Sequence, residues 1–291
     1  MTDYMMVREG DDGAGATVLW RLRGEFPRAK LVEAVQGHWF KIPLPPVREP
    51  EVALRRAVAG LRGKRRLVRP VRKGLWAIID EGIAADGNSL KHWSGPTVSL
   101  DAIGRLVVKN GMGSVMTAAD DERVEELLKA YDHFLDALTP DDVSAWLIEN
   151  AQRLGAVTMR DGGGLYYLPP GAMQEWRAIV DVLDRVSSGR HVVSMIPTVR
   201  MTRDGAKAIL ASLTIELEVE VERLRAELIS GDLGVRALEN RAALTATMLG
   251  KVEQYEALLA TPMAGVRDMV NNLSTDLVAA KLAAEADEVA S

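Results

Sequence analysis

From Thr202 onward, apolar residues recur at steps of three and four, and this pattern restricts the fold of the chain more than any other. Leu210, Leu213, Leu217, Val221, Leu224 and Leu228 form one run; Val235, Leu238, Ala242, Thr245, Leu249, Val252, Tyr255 and Leu259 form the next. Such steps place every member of a run on one side of an α-helix. Ser230-Gly231-Asp232 separates the two runs. So short a link forces the helices antiparallel, each on the order of 40 Å long. Thr261-Pro262 opens a third helical stretch with Val266, Val270, Leu273, Leu277 and Leu282 on its apolar side. Residues 201–291 are therefore expected to form an antiparallel helical hairpin or coiled coil, or a three-helix bundle. The stripe Leu210, Leu213, Leu217, Val221, Leu224 and Leu228 is its expected oligomerisation surface, pairing copies of the chain or docking a protein partner. The glutamates at 216, 218, 220 and 222, ahead of Arg223 and Arg225, suit a solvated face.

Upstream of these helices, MRDGGGLYYLPPGA (Met159–Ala172) sets three glycines in a row. A phosphate-cradling loop needs its glycines between a strand and a helix N-terminus, followed by a lysine and a hydroxyl residue. Here they are followed by the apolar LYYLP and preceded by AVTMR, so the reading is a hairpin with a glycine tip. Met173, Trp176, Val180 and Leu183 then mark a helix, and RHVVSMIPTV a buried strand.

The first third alternates short strands and helices. VLWRLRG reads as a strand, Pro27–Gln36 as a helix, HWFKIPLP as a second strand, Glu49–Leu61 as a helix, and RLVRPVRKGLWAIID as two strands joined at Lys73-Gly74. Ile83–Pro96 reads as a loop, with two more strands around Thr97–Leu100 and Arg105–Lys109. The fold class is α+β. The expected domains are a mobile tail (1–15), an N-terminal α+β domain (16–96), a central α+β domain (97–200) and the helical arm (201–291). The order strand, helices, strand, strand, helix, strand over 97–199 fits a ferredoxin-like split βαβ unit, with a winged helix as the alternative.

One segment departs from an otherwise acidic background. From Arg55 to Lys73 there are nine basic residues and no acidic one, in a chain of net charge −5. Arg62, Lys64, Arg65, Arg66, Arg69, Arg72 and Lys73 form a candidate phosphate-binding surface, with Trp76 placed to stack on a base. The competing reading is the wet side of a half-buried strand, its arginines guarding an edge against aggregation.

Catalytic patterns are thin. His38, His92, His133 and His191 are scattered outside any zinc-binding motif, and the chain has no cysteine, so neither a metal site nor a cofactor is expected. Asp80, Glu81 and Asp101 are the carboxylates a metal-dependent nuclease would use; Asp120-Asp121 and Asp141-Asp142 suit helix starts. No apolar run is long enough to span a bilayer, and the start lacks an export signal, which points to the cytoplasm.

The GGGLYYLP hairpin, the following amphipathic helix, the VVSMIPTV strand and the glutamate-rich helices together resemble uncharacterised proteins encoded by bacteriophages and other mobile elements, over about the last two thirds of the chain. That resemblance implies a mobile-element accessory protein and no particular activity. The expectation is a non-enzymatic, self-associating protein that docks on nucleic acid through the basic segment, or a protein-binding adaptor in which the arginines are inert.

Overall fold

A computed structural model describes residues 13–60, 66–83, 90–109, 118–186, 191–231 and 233–290. In chain order the elements are β1 (Ala16–Arg21), β2 (Phe26–Pro27), α1 (Arg28–Gln36), α2 (Pro50–Gly60), β3 (Arg66–Arg72), β4 (Leu75–Ile83), β5 (Leu90–Leu100), β6 (Leu106–Lys109) and α3 (Ala118–Asp136). There follow β7 (Ala137–Leu138), α4 (Pro140–Arg153), β8 (Val157–Thr158), β9 (Tyr166–Leu168), α5 (Met173–Val186), β10 (Val192–Pro197), α6 (Arg203–Ser230), α7 (Val235–Leu259) and α8 (Ala264–Ala290). The fold is α+β. Among the described residues no helix is long and apolar enough to cross a membrane.

The backbone divides into two compact units. One comprises Arg23–Trp146 and Val182–Arg190. Its centre is a four-stranded antiparallel sheet of order β3-β4-β5-β6, made of sequence neighbours, with turns at 73–74 between β3 and β4 and at 101–105 between β5 and β6. Helices α2 and α3 cover one face: Ala53, Leu54, Ala57 and Val58 from α2 and Leu127 and Tyr131 from α3 pack on Val68, Ile78 and Val98. Tyr131 donates its hydroxyl to the Gly104 carbonyl at 2.6 Å, tying α3 to the β5–β6 turn. Burial, with Asp132 and Asp101 nearby, raises that phenol above its ordinary pKa and keeps it a donor.

Two expectations fail in this unit. Strand β5 starts at Leu90, so 90–96 is strand and the domain boundary expected at 96/97 would cut through the sheet. HWFKIPLP forms no strand, because its carbonyls are claimed elsewhere. Pro43 O accepts from Trp146 Nε1 at 2.9 Å, and Pro45 O and Pro46 O accept from Arg28 at 3.2 and 2.8 Å. Trp39 of this segment is 79% exposed.

The second unit comprises Met1–Leu22, Leu147–Asp181 and His191–Ser291. Its sheet has the order β10-β1-β9-β8, all antiparallel. The glycine triplet is the hairpin tip, as the turn chemistry requires. Thr158 pairs with Tyr166, and Gly162, Gly163 and Gly164 lie at φ 76, 77 and 86, a run of left-handed backbone that side chains with a Cβ resist. The split βαβ arrangement does not form, because β5 and β6 belong to the other sheet while β1, from the chain start, lies between β10 and β9. Nor is the hairpin a free wing: β9 is an interior strand. Residues 1–12 of the expected tail lie outside the described residues. Within 13–15, Ala14 N donates to Thr198 O at 2.7 Å and Tyr167 donates its hydroxyl to Ala14 O, so Ala14 is tied to the sheet and not part of a mobile tail.

The three C-terminal helices do not form a separate arm. Leu213, Leu217, Val221 and Leu224 of α6 are buried in a core shared with Leu238, Val252 and Tyr255 of α7, Val270, Leu273 and Leu277 of α8, and Val157 and Tyr167 of the sheet; Leu210 and Leu228 pack at its edge. The stripe expected to join copies of the chain is therefore consumed within one chain. Hydrogen bonds fasten β8 to these helices: Glu216 accepts from Thr158 N at 3.1 Å and from Lys251 Nζ, Lys251 also donates to Ala156 O at 2.6 Å, and Tyr255 donates to Gly155 O at 2.8 Å.

Candidate nucleic-acid interface

The β3–β4 hairpin turns at Lys73-Gly74, and its register decides what the basic segment can do. Val68 pairs with Ile78 and Pro70 with Trp76, both rows on the helix-covered side. The alternate residues form the other face. Arg69 pairs with Ala77, Ala77 with Thr97 and Thr97 with Lys109, one row running across all four strands. Past the bulge at Val71 a second row runs Arg72, Leu75, Ser99, Val107.

The first row begins and ends in an exposed cation, with only the small Ala77 and Thr97 between. Three interstrand spacings separate Arg69 from Lys109, about 14 Å of backbone. Lys73 and Arg105, both exposed, sit in the two turns at one end of the sheet, the Leu75–Ser99 and Leu100–Leu106 pairs bringing those turns together. None of Arg69, Arg72, Lys73, Arg105 or Lys109 is in an ion pair with another described residue. The acid nearest in sequence, Asp101, is committed to its own turn, where Oδ1 accepts from Ile103 N at 3.0 Å and Arg105 N at 2.8 Å.

Of the expected contact residues, Arg69, Arg72 and Lys73 thus share this basic face and its end. Arg62, Lys64 and Arg65 lie outside the described residues. Arg66 lies in β3 with its backbone opposite Asp80. Trp76 is corrected: it packs half-buried against the helix-side core, in a row of the strand register that alternates with that of Arg69. Alternation carries that signal locally, since Trp76 and Ile78 are two apart and Ile78 is core. Charge clustering in the sequence does not single out Lys109 and Arg105. The in-and-out pattern of Leu106, Val107, Val108 and Lys109 places Lys109 outward, but only the sheet order sets it across from Arg69.

A second collection of cations contrasts with this one. Beside Gly162 of the hairpin tip, a groove of about 640 Å³ is lined by Ile215, Val219, Leu244 and Met248 with Arg153, Arg160 and Lys251. There Lys251 is neutralised by Glu216 and Arg153 by Glu175. Arg69, Arg72, Lys73, Arg105 and Lys109 carry no such counter-charge among the described residues, which leaves them open to an external anion. Of the nuclease carboxylates, Asp101 serves the turn, and Asp80 and Glu81 occupy β4 backbone positions opposite Trp93 and His92.

Residues 15–288 match the family described as "Family of unknown function (DUF6744)". The chain belongs to the DUF6744 family. The match runs from the start of β1 into α8, so every residue of the basic sheet face lies within the DUF6744 region. No curated protein and no solved structure matches the chain.

Proposed function

We propose that this protein binds the phosphate backbone of nucleic acid on the open face of the β3-β4-β5-β6 sheet, without chemistry of its own. The observation that carries the reading is the row Arg69–Ala77–Thr97–Lys109: cations on both edge strands flank a low floor along which a strand can lie. Arg72, Lys73 and Arg105 extend the positive surface. With no aromatic side chain in these two rows, binding is tied to phosphates and not to stacked bases, so it is tolerant of sequence and sensitive to salt.

The test is fluorescence anisotropy with labelled single- and double-stranded oligonucleotides over a range of salt. Five phosphate contacts give a slope of log K against log salt of roughly −3.5 for single strands and −4.5 for duplex. Arg69→Glu with Lys109→Glu is expected to weaken binding about a hundredfold or more and to flatten the slope by roughly two contacts. Wild-type protein that shows no salt-sensitive binding, or a double variant that binds like wild type, rejects the reading.

A further inference from the structure

Among the described residues strand β10 forms one edge of its sheet, paired with β1 on one side only. An edge strand exposes a row of backbone donors and acceptors, and soluble proteins guard such rows with charge, proline or irregularity. Strand β3, an edge of the other sheet, is guarded: RLVRPVR carries three arginines, a proline and a bulge. Strand β10, VVSMIP, has no charged residue, and its proline comes last. Val192 and Ile196 are each 58% exposed.

The backbone limits what can pair there. Thr198 exchanges hydrogen bonds with the β1 side, its N–H to Gly15 O and its carbonyl to Ala14 N, both 2.7 Å. Antiparallel alternation then turns the groups of Ile196, Ser194 and Val192 toward β1, and the N–H and C=O of Val193 and Met195 outward.

We infer that β10 pairs with β10 of a second copy, antiparallel, across a two-fold axis at Ser194. In that register Val193 lies opposite the second copy's Met195 and Met195 opposite its Val193, giving four backbone hydrogen bonds. Val192 meets Ile196 of the other copy on both sides of the axis, and the two serines meet on it. Moving the axis to Met195 sets Pro197, which has no N–H, against Val193. Moving it to Val193 carries Ile196 past the end of the opposing strand. The strand is thus its own complement under two-fold symmetry, the condition for an isologous interface. A six-residue strand pair falls short of the roughly 800 Å² per partner of stable interfaces, so the dimer is expected to be micromolar or weaker. The inference is independent of nucleic-acid binding.

The experiment is sedimentation velocity on the full chain over a wide concentration range. Wild type is expected to shift from monomer to dimer. Val192→Lys with Ile196→Lys sets like charges opposite each other and is expected to stay monomeric, as is Val192→Glu with Ile196→Glu. An equimolar mixture of the two variants is expected to recover the dimer. Since the chain has no cysteine, Ser194→Cys provides a second readout, expected to cross-link under mild oxidation about tenfold faster than Ser230→Cys. Monomeric wild type at every concentration, variants that dimerise like wild type, or equal cross-linking at 194 and 230 would overturn the inference.

Discussion

The two sheets of this protein are built from opposite materials. The β3-β4-β5-β6 sheet joins neighbours in sequence, guards its edge with arginines and leaves one face beyond its covering helices. The β10-β1-β9-β8 sheet joins the chain start to segments about 150 residues on, shares a core with three long helices and ends in an uncharged edge. Local pairing makes a platform whose alternate residues are free to meet a ligand. Non-local pairing makes a framework in which most apolar positions are already committed.

The sharpest way to break that contrast is to charge the α6 stripe. Leu217 is 3% exposed within the core of the second unit, and Leu217→Asp buries an unpaired carboxylate there, an expected loss of more than about 4 kcal/mol. Circular dichroism and hydrogen exchange should find the α6–α8 and β8–β9 segments unprotected together. A variant that keeps native protection in those segments would mean that the stripe is not core, and the original association surface would return.

This stripe also marks what was legible in the sequence. Its periodicity gave the helices and their antiparallel turn at Ser230–Asp232, but period alone states that a face is covered, not by what. The Lys73-Gly74 hairpin was legible because turn and alternation are local. HWFKIPLP alternates as well, yet its carbonyls are taken by Arg28 and by Trp146 about a hundred positions away. The β1 segment read as a strand, but nothing near it names β9 and β10 as its neighbours. The basic face was half legible: Arg69 and Arg72 by charge, Lys109 only once the sheet order set it opposite.

A smaller effect is expected in the unit that holds the platform. Asp142, near the start of α4, accepts from Thr139 N at 2.7 Å and Thr139 Oγ1 at 2.6 Å, and pairs with the buried Arg48. Partial burial would raise its pKa, but the Thr139 bonds and the charges of Arg48 and Arg56 together hold it below the ordinary carboxylate value. The folded value is the depressed one, so its stabilisation is present above the unfolded pKa and is lost as pH falls through the folded one. Asp142→Asn should therefore destabilise this unit by about 1–3 kcal/mol at neutral pH and flatten its acid limb. Denaturant melts from pH 7 down to pH 3 measure both; an unchanged acid limb would assign the pH response to other carboxylates.

The smallest effect falls in the helical framework and has the opposite sign. Helix α7 ends at Ala260 with φ 48 and ψ 38, a left-handed cap whose N–H donates to Glu256 O. Among the described residues it is the one non-glycine at positive φ. A Cβ in that conformation crowds the backbone, and glycine removes the crowding while adding some freedom to the unfolded chain. Relief outweighs entropy at such a cap, so Ala260→Gly is expected to stabilise the protein by roughly 0.5–1 kcal/mol. Ala260 is exposed, so little packing is lost with its methyl group. Thermal melts with hydrogen exchange over 235–277 would detect a small rise confined to α7 and α8. A loss of stability would mean that the turn into α8 is held by Thr261 and by the Glu256 bond to Met263 N, at 2.7 Å, more firmly than by the cap itself.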